Sequence, residues 1–236
     1  MDTTSIGPLR VRALGRGDAG GPAILLCHGF GAPGDDLVGL GRALDVGRGV
    51  RWFFPEAPIV VDFGGGMTGR AWWEIDLGSL VEAQARGDML RLAKEDPPGV
   101  ATARGLLEET LDELERAHGV ARDKLVIGGF SQGAMLATEV ALNAERPFAG
   151  LAVLSGALLA RERWSKLAIA RGAAIHAFLT HGKADPMLPF GGGEALRDLL
   201  TASGADVTWV AHGGQHEIPP PALDGLVNFA RAAFAR

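Results

Sequence analysis

Residues 124–137 read KLVIGGFSQGAMLA. The apolar run Lys124–Gly128 meets Gly129-Phe130-Ser131-Gln132-Gly133 and passes at once into the helical pattern Ala134-Met135-Leu136-Ala137. A strand that turns this sharply into a helix holds its central residue in a strained backbone conformation. The flanking positions must be glycine, because a side chain there would collide with the neighbouring strand and helix. Ser131 then sits exposed at the head of a helix, where free N–H groups and the dipole favour developing negative charge. A serine that merely caps the helix is the alternative; the strand–turn–helix context favours the exposed turn.

The same rhythm runs through the rest of the chain. Apolar runs at Leu9–Leu14, Ala23–Cys27, Val50–Phe54, Gly150–Ser155, Ile175–Thr180 and Asp206–Ala211 read as strands. Most are continuously hydrophobic, as expected of strands covered on both faces. Amphipathic patterns at Asp35–Leu44, Val100–His118, Gln132–Asn143, Glu194–Ala202 and Pro220–Ala235 read as helices. Alternation of this kind predicts an α/β fold with a mostly parallel central sheet and helices on both faces, here as a single domain over residues 1–236. One stretch departs from it. Residues 63–78, FGGGMTGRAWWEIDLG, are too irregular for a core element, and Ser79–Lys94 after them reads as helical.

Composition narrows the function. Net charge is -5 with both signs interspersed, which gives no electrostatic reason to expect nucleic acid or an anionic membrane as partner. The single cysteine, Cys27, excludes an internal disulfide framework and argues against a cysteine-based metal site. No apolar run approaches a membrane span, and the N-terminal residues lack a secretory pattern, so the expectation is a cytoplasmic protein.

A serine at its ordinary pKa needs a base, and the base needs an orienting acid. With a G-x-S-x-G turn the chain order is serine, acid, histidine, each in a loop beyond a strand's carboxyl end. His28 precedes the serine, His118 ends a helix, His176 sits inside a strand, and His181 belongs to the acid's loop. His212 and His216 both follow the last strand. His216, in a glycine-rich loop that can lean toward the serine, is the favoured base. For the acid, Asp185 follows Ile175–Thr180 in HGKADP; an ordinary Asp-Pro turn is the competing reading.

Acyl transfer also needs donors for the oxyanion. The Gln132 N–H supplies one, and the loop Cys27-His28-Gly29-Phe30-Gly31 offers the Phe30 N–H as the second. That loop has a rival reading. Gly29, Gly31 and Gly34 form a G-x-G-x-x-G after a strand, with Glu56 after the next, as in a dinucleotide-binding domain. Pro33 and the Asp35-Asp36 pair sit where a helix should start to cradle a pyrophosphate, the carboxylates would repel it, and the triad order would be left as coincidence.

Five segments, LLCHGFGAPGDDL, AWWEID, VIGGFSQGAML, HGKADPMLPF and GGQHEIPP, occur in that order. Together they resemble the phospholipase/carboxylesterase family that includes the acyl-protein thioesterases, the bacterial carboxylesterase branch above all. The resemblance covers Ala23 to the C-terminus. It implies an α/β-hydrolase core without a large cap domain, no cofactor or metal, and hydrolysis of carboxylic esters or thioesters. On this resemblance the nucleophile falls on Ser131, the acid on Asp185, the base on His216 and the oxyanion donors on Phe30 and Gln132. The family's tryptophan-containing loop falls on Trp72-Trp73, and the residue after the acid that faces the acyl group falls on Leu188. Two departures stand out: Cys27 replaces the usual aliphatic residue, and the Ser79–Pro98 stretch is longer than in the eukaryotic thioesterases, which favours a small-molecule ester.

Met67, Trp72, Trp73 and Leu188 are thus candidates for a surface suited to short or medium acyl chains; the other reading is that they simply pack the loop onto the core. The expected partner is a small ester, with the protein a monomer or homodimer and without stable membrane association. A non-catalytic α/β-hydrolase used for ligand binding would tolerate loss of a triad or oxyanion element, and this chain has them all.

Overall fold

The computed structural model describes residues 2–15, 17–76, 78, 82, 93–94 and 96–236. Ten strands are formed: β1 (Asp2–Ile6), β2 (Leu9–Leu14), β3 (Ala23–Cys27), β4 (Arg51–Glu56), β5 (Ile59–Asp62), β6 (Thr68–Ala71), β7 (Leu125–Phe130), β8 (Gly150–Leu154), β9 (His176–Gly182) and β10 (Asp206–His212) among the described residues. The helices are α1 (Val38–Ala43), α2 (Val100–His118), α3 (Gln132–Asn143), α4 (Arg161–Arg171), α5 (Phe190–Ala202) and α6 (Pro220–Phe234).

Eight strands make one sheet in the order β1-β2-β4-β3-β7-β8-β9-β10. The pairs β1–β2 and β2–β4 are antiparallel; from β4 through β10 the pairing is parallel. The strands β3 (AILLC) and β8 (GLAVL) are buried at every position, as their unbroken apolar sequences require of strands covered on two faces. One core layer joins the sheet to Leu107 and Leu111 of α2, Leu136 and Val140 of α3, Trp164 of α4 and Leu196 of α5. The opposite layer holds Val38 of α1 and Leu226 and Phe229 of α6.

The helix after β3 therefore lies on one face and the helix after β7 on the other, although the two strands are neighbours. Their carboxyl ends open a crevice at the point where the winding reverses, the usual place for a site in such sheets.

Two expectations are corrected. The stretch 63–78 is partly regular: β5 and β6 form a separate antiparallel hairpin whose turn carries Gly64, Gly65 and Gly66, all at positive φ. The helix expected at Asp35–Leu44 starts only at Val38, leaving both aspartates in a turn whose Asp35 carbonyl accepts the Val38 N–H. Strand β1 and helix α4 escape a reading based on apolar runs, because DTTSI is polar and RERWSKLAIAR buries only Trp164 and Ala168. The helix read at Ser79–Lys94 falls largely outside the described residues.

Candidate active site

Strand β7 ends at Phe130 and α3 begins at Gln132, so the whole turn is carried by Ser131, at φ 54 and ψ -118. Its backbone is tied on both sides: the Ser131 N–H donates to Leu154 O at 2.9 Å, and Ser131 O accepts from Ala134 and Met135. The glycines around it are required by contact. A Cβ on Gly133 would lie 2.1 Å from Cys27 O, and one on Gly129 would lie 2.5 Å from the same atom. The Cys27 carbonyl of β3 thus slots against the elbow between two residues without side chains. Cys27 itself is fully buried, and burial pushes its thiol up, out of reach of nucleophilic chemistry.

The loop after β3 passes directly over the serine: a Cβ on Gly29 would sit 3.4 Å from Ser131 Cβ. His28 braces it. Its Nε2 accepts the Ala57 N–H at 3.0 Å, so the ring proton is on Nδ1 and donates to Gly29 O at 2.8 Å. Burial lowers the pKa of His28 and keeps that neutral form. Outside the loop, β6 holds it through Gly31 N–H to Arg70 O (2.8 Å) and Arg70 N–H to Ala32 O (2.9 Å). Among the described residues neither the Phe30 nor the Gln132 N–H donates to another protein group, which leaves both open to an oxyanion.

Gln132 has a second job. Its buried amide accepts the Trp72 N–H at 3.0 Å and donates to Trp73 O at 2.8 Å. The Trp72 indole donates to His28 O at 2.9 Å. Trp72 and Trp73 are each only 2% exposed. Of the two readings offered for them, packing of the loop onto the core is the one this burial favours. Met67 is 66% exposed on the hairpin turn and Leu188 is half-buried beside the acid.

Beyond β9, Asp185 Oδ1 accepts the N–H groups of Met187 and Leu188 at 2.8 and 2.9 Å. Its Oδ2 lies 2.7 Å from His216 Nδ1 and 3.3 Å from His181 Nε2. Burial works against the carboxylate, but the hydrogen bonds from His181, His216 and Leu188 outweigh it and hold Asp185 well below the usual carboxylate range. The His216 ring rests on Phe130, the residue before Ser131, at 4.7 Å between centroids. Ser155 Oγ donates to Glu217 O at 3.4 Å and steadies the same loop.

His212, the base not favoured, closes β10; its Nδ1 accepts the Gly214 N–H. Glu56 and the glycine loop are also explained. Glu56 is 4% exposed and paired with Arg12 at 2.8 Å and Arg70 at 2.5 Å, so it is no ribose ligand. Arg12 also donates to Gly34 O and Arg70 to Ala57 O, which makes this cluster a brace for the loop after β3.

A family model described as Phospholipase/Carboxylesterase matches residues 16–233. The chain belongs to the phospholipase/carboxylesterase family. It is 29% identical over 233 residues to an acyl-protein thioesterase 1 of Neurospora crassa, covering 94% of this chain and 89% of that one. With the acyl-protein thioesterase 1 of Schizosaccharomyces pombe the identity is 30% over 167 residues, covering 70% of this chain and 69% of the relative. Among solved structures, esterase PE8 superposes with a TM-score of 0.78 at 28% identity, over 95% of this chain and 99% of that chain. The Bacillus cereus carboxylesterase, at 20% identity, shares the fold with a TM-score of 0.69 over 96% and 95% of the two chains. The protein is therefore an α/β-hydrolase acting on ester bonds. No described helix is long and apolar enough to cross a membrane.

Proposed function

We propose that the protein is a serine carboxylesterase that hydrolyses short- to medium-chain carboxylic esters, and thioesters, through an acyl-enzyme on Ser131. The observation that carries this reading is Ser131 itself, locked at φ 54 between β7 and α3, with the Asp185–His216 pair presented from two strand ends of the same sheet edge.

Because Asp185 engages Nδ1 of His216, Nε2 is the nitrogen left to take the serine proton. Ser131 Oγ attacks the acyl carbonyl while the Phe30 and Gln132 N–H groups receive the oxyanion. His216 then returns the proton to the departing alcohol or thiol, and water, activated by the same ring, releases the acid. Thioesters enter the reading because relatives carry the name acyl-protein thioesterase. Chain length rests on Met67 and Leu188, which offer an exposed and a half-buried apolar side chain. A monomer or homodimer acting in the cytoplasm fits a chain whose one cysteine is buried and unpaired.

The test is wild type beside Ser131→Ala on p-nitrophenyl acetate, butyrate, octanoate and palmitate. The expected result is a loss of about 10⁴-fold or more in kcat in the variant, with the shorter esters preferred by wild type. Equal activity in both proteins would put the nucleophile elsewhere.

A further inference from the structure

Resting on the triad just proposed, we infer that His181 is a positioning residue, a buried imidazolium that pins the Asp185 carboxylate so that its Oδ2 faces His216. His181 is fully buried at the end of β9. Its Nε2 lies 2.7 Å from Leu188 O and 3.3 Å from Asp185 Oδ2, and its Nδ1 lies 3.2 Å from Gly156 O. All three atoms that pair with the ring nitrogens are thus acceptors. A neutral imidazole carries one proton and would press the lone pair of its other nitrogen against an oxygen, whereas the cation donates at both.

The surroundings agree. Burial opposes the charge, but the Asp185 carboxylate and the two carbonyls outweigh it and raise the pKa of His181 above its ordinary value. At the end of β10, burial lowers the pKa of His212, with the Glu217 carboxylate opposing that shift and the His181 charge adding to it. His216 lies on the far side of Asp185. The loop after β8 contributes the Gly156 carbonyl, and α5 contributes Phe190, edge-on at 6.1 Å, and Gly193. A Cβ on Gly193 would stand 2.5 Å from His181 Nδ1, so α5 keeps a glycine where the ring is seated.

The consequence for the reaction is specific. Asp185 Oδ1 is held by two loop amides and Oδ2 by two histidines, so the carboxylate has no freedom to turn. The cation beside it also lowers its affinity for protons. Asp185 then stays a carboxylate that orients His216 and does not take the proton the base has received from serine.

The test pairs a spectrum with kinetics. In wild-type protein with ¹⁵N-labelled histidine at pH 7.5, His181 should show two slowly exchanging ring N–H protons and the nitrogen shifts of an imidazolium. In His181→Gln, which keeps one amide donor, kcat should fall about 10- to 100-fold with KM within about twofold of wild type. A His181 ring with one bare nitrogen at pH 7.5, a wild-type kcat in the variant, or a loss carried by KM would each overturn the inference. If the variant does not fold, the wild-type spectrum decides alone. Ser131→Ala separates the two claims. Activity surviving in it removes the triad reading, whereas an inactive Ser131→Ala beside a fully active His181→Gln removes only the role of His181.

Discussion

The strain at Ser131 can be weighed by removing its Cβ. A non-glycine residue held in a sparsely populated region costs on the order of 1–3 kcal/mol. Ser131, at φ 54 and ψ -118, is held there by bonds to Leu154, Ala134 and Met135 that do not depend on its side chain. Ser131→Ala keeps the Cβ and keeps the strain. Ser131→Gly releases it, while the extra freedom of glycine in the unfolded chain takes back about 0.4–1 kcal/mol. The glycine variant should therefore be more stable than the alanine variant by about 1 kcal/mol, or roughly 2–4 °C in Tm for a chain of this size. Urea or thermal unfolding of the two variants measures this directly. The matched control is Ser203, at φ -86 and ψ 4, where the glycine variant should be the less stable of the pair. If Ser131→Gly is no more stable than Ser131→Ala, the elbow is not strained and the reasoning fails.

Two further outcomes are expected. In Gly69→Ala the new Cβ would lie 2.1 Å from Gly31 O, so the hairpin must step away from the loop that carries the Phe30 N–H. A displacement near 1 Å should lower kcat/KM about 100-fold, whereas Gly105→Ala, on α2 with open space around it and an ordinary helical backbone, should leave kcat/KM close to wild type. Asp185 supplies a pH signature. Its folded pKa is depressed, so its contribution to stability is present above the unfolded value near 3.9 and is lost as pH falls toward the folded one. Between pH 5 and pH 3 the wild type should lose about 1 kcal/mol more unfolding free energy than Asp185→Asn; parallel losses in the two proteins would contradict the depressed value.

Much of the architecture is legible in the sequence because a parallel strand buried on both faces must be written in apolar residues. Ala23–Cys27 and Leu9–Leu14 are found with the bounds expected, and the later strands differ by one or two residues at their ends. Polar β1 at the sheet edge and α4, with its narrow stripe of Trp164 and Ala168, carry too little of that signal. The pairing of Asp185 with His216 was legible from chain order and loop position. The brace around it was not. What makes His181 a cation is the Asp185 carboxylate together with a pair of main-chain oxygens, at Gly156 and Leu188, and no residue type announces where its carbonyl will point. The side-chain clamp of Gln132 on the Trp72-Trp73 backbone was hidden for the same reason.

The central place of β3 bears on how the chain comes together. Cys27 pairs with Gly129, about 100 residues later, while Leu25 pairs with Phe53 on the other side. The segment that closes over Ser131 gains its β7 neighbour only once the second half of the chain is brought up to it. Contacts of such wide separation form slowly. On the proposed triad, a partly assembled sheet lacking β7 has no nucleophile, and one lacking β10 has no base. Turnover regained during refolding would thus count finished molecules alone, and a lag between compaction and activity would time the arrival of the last strand.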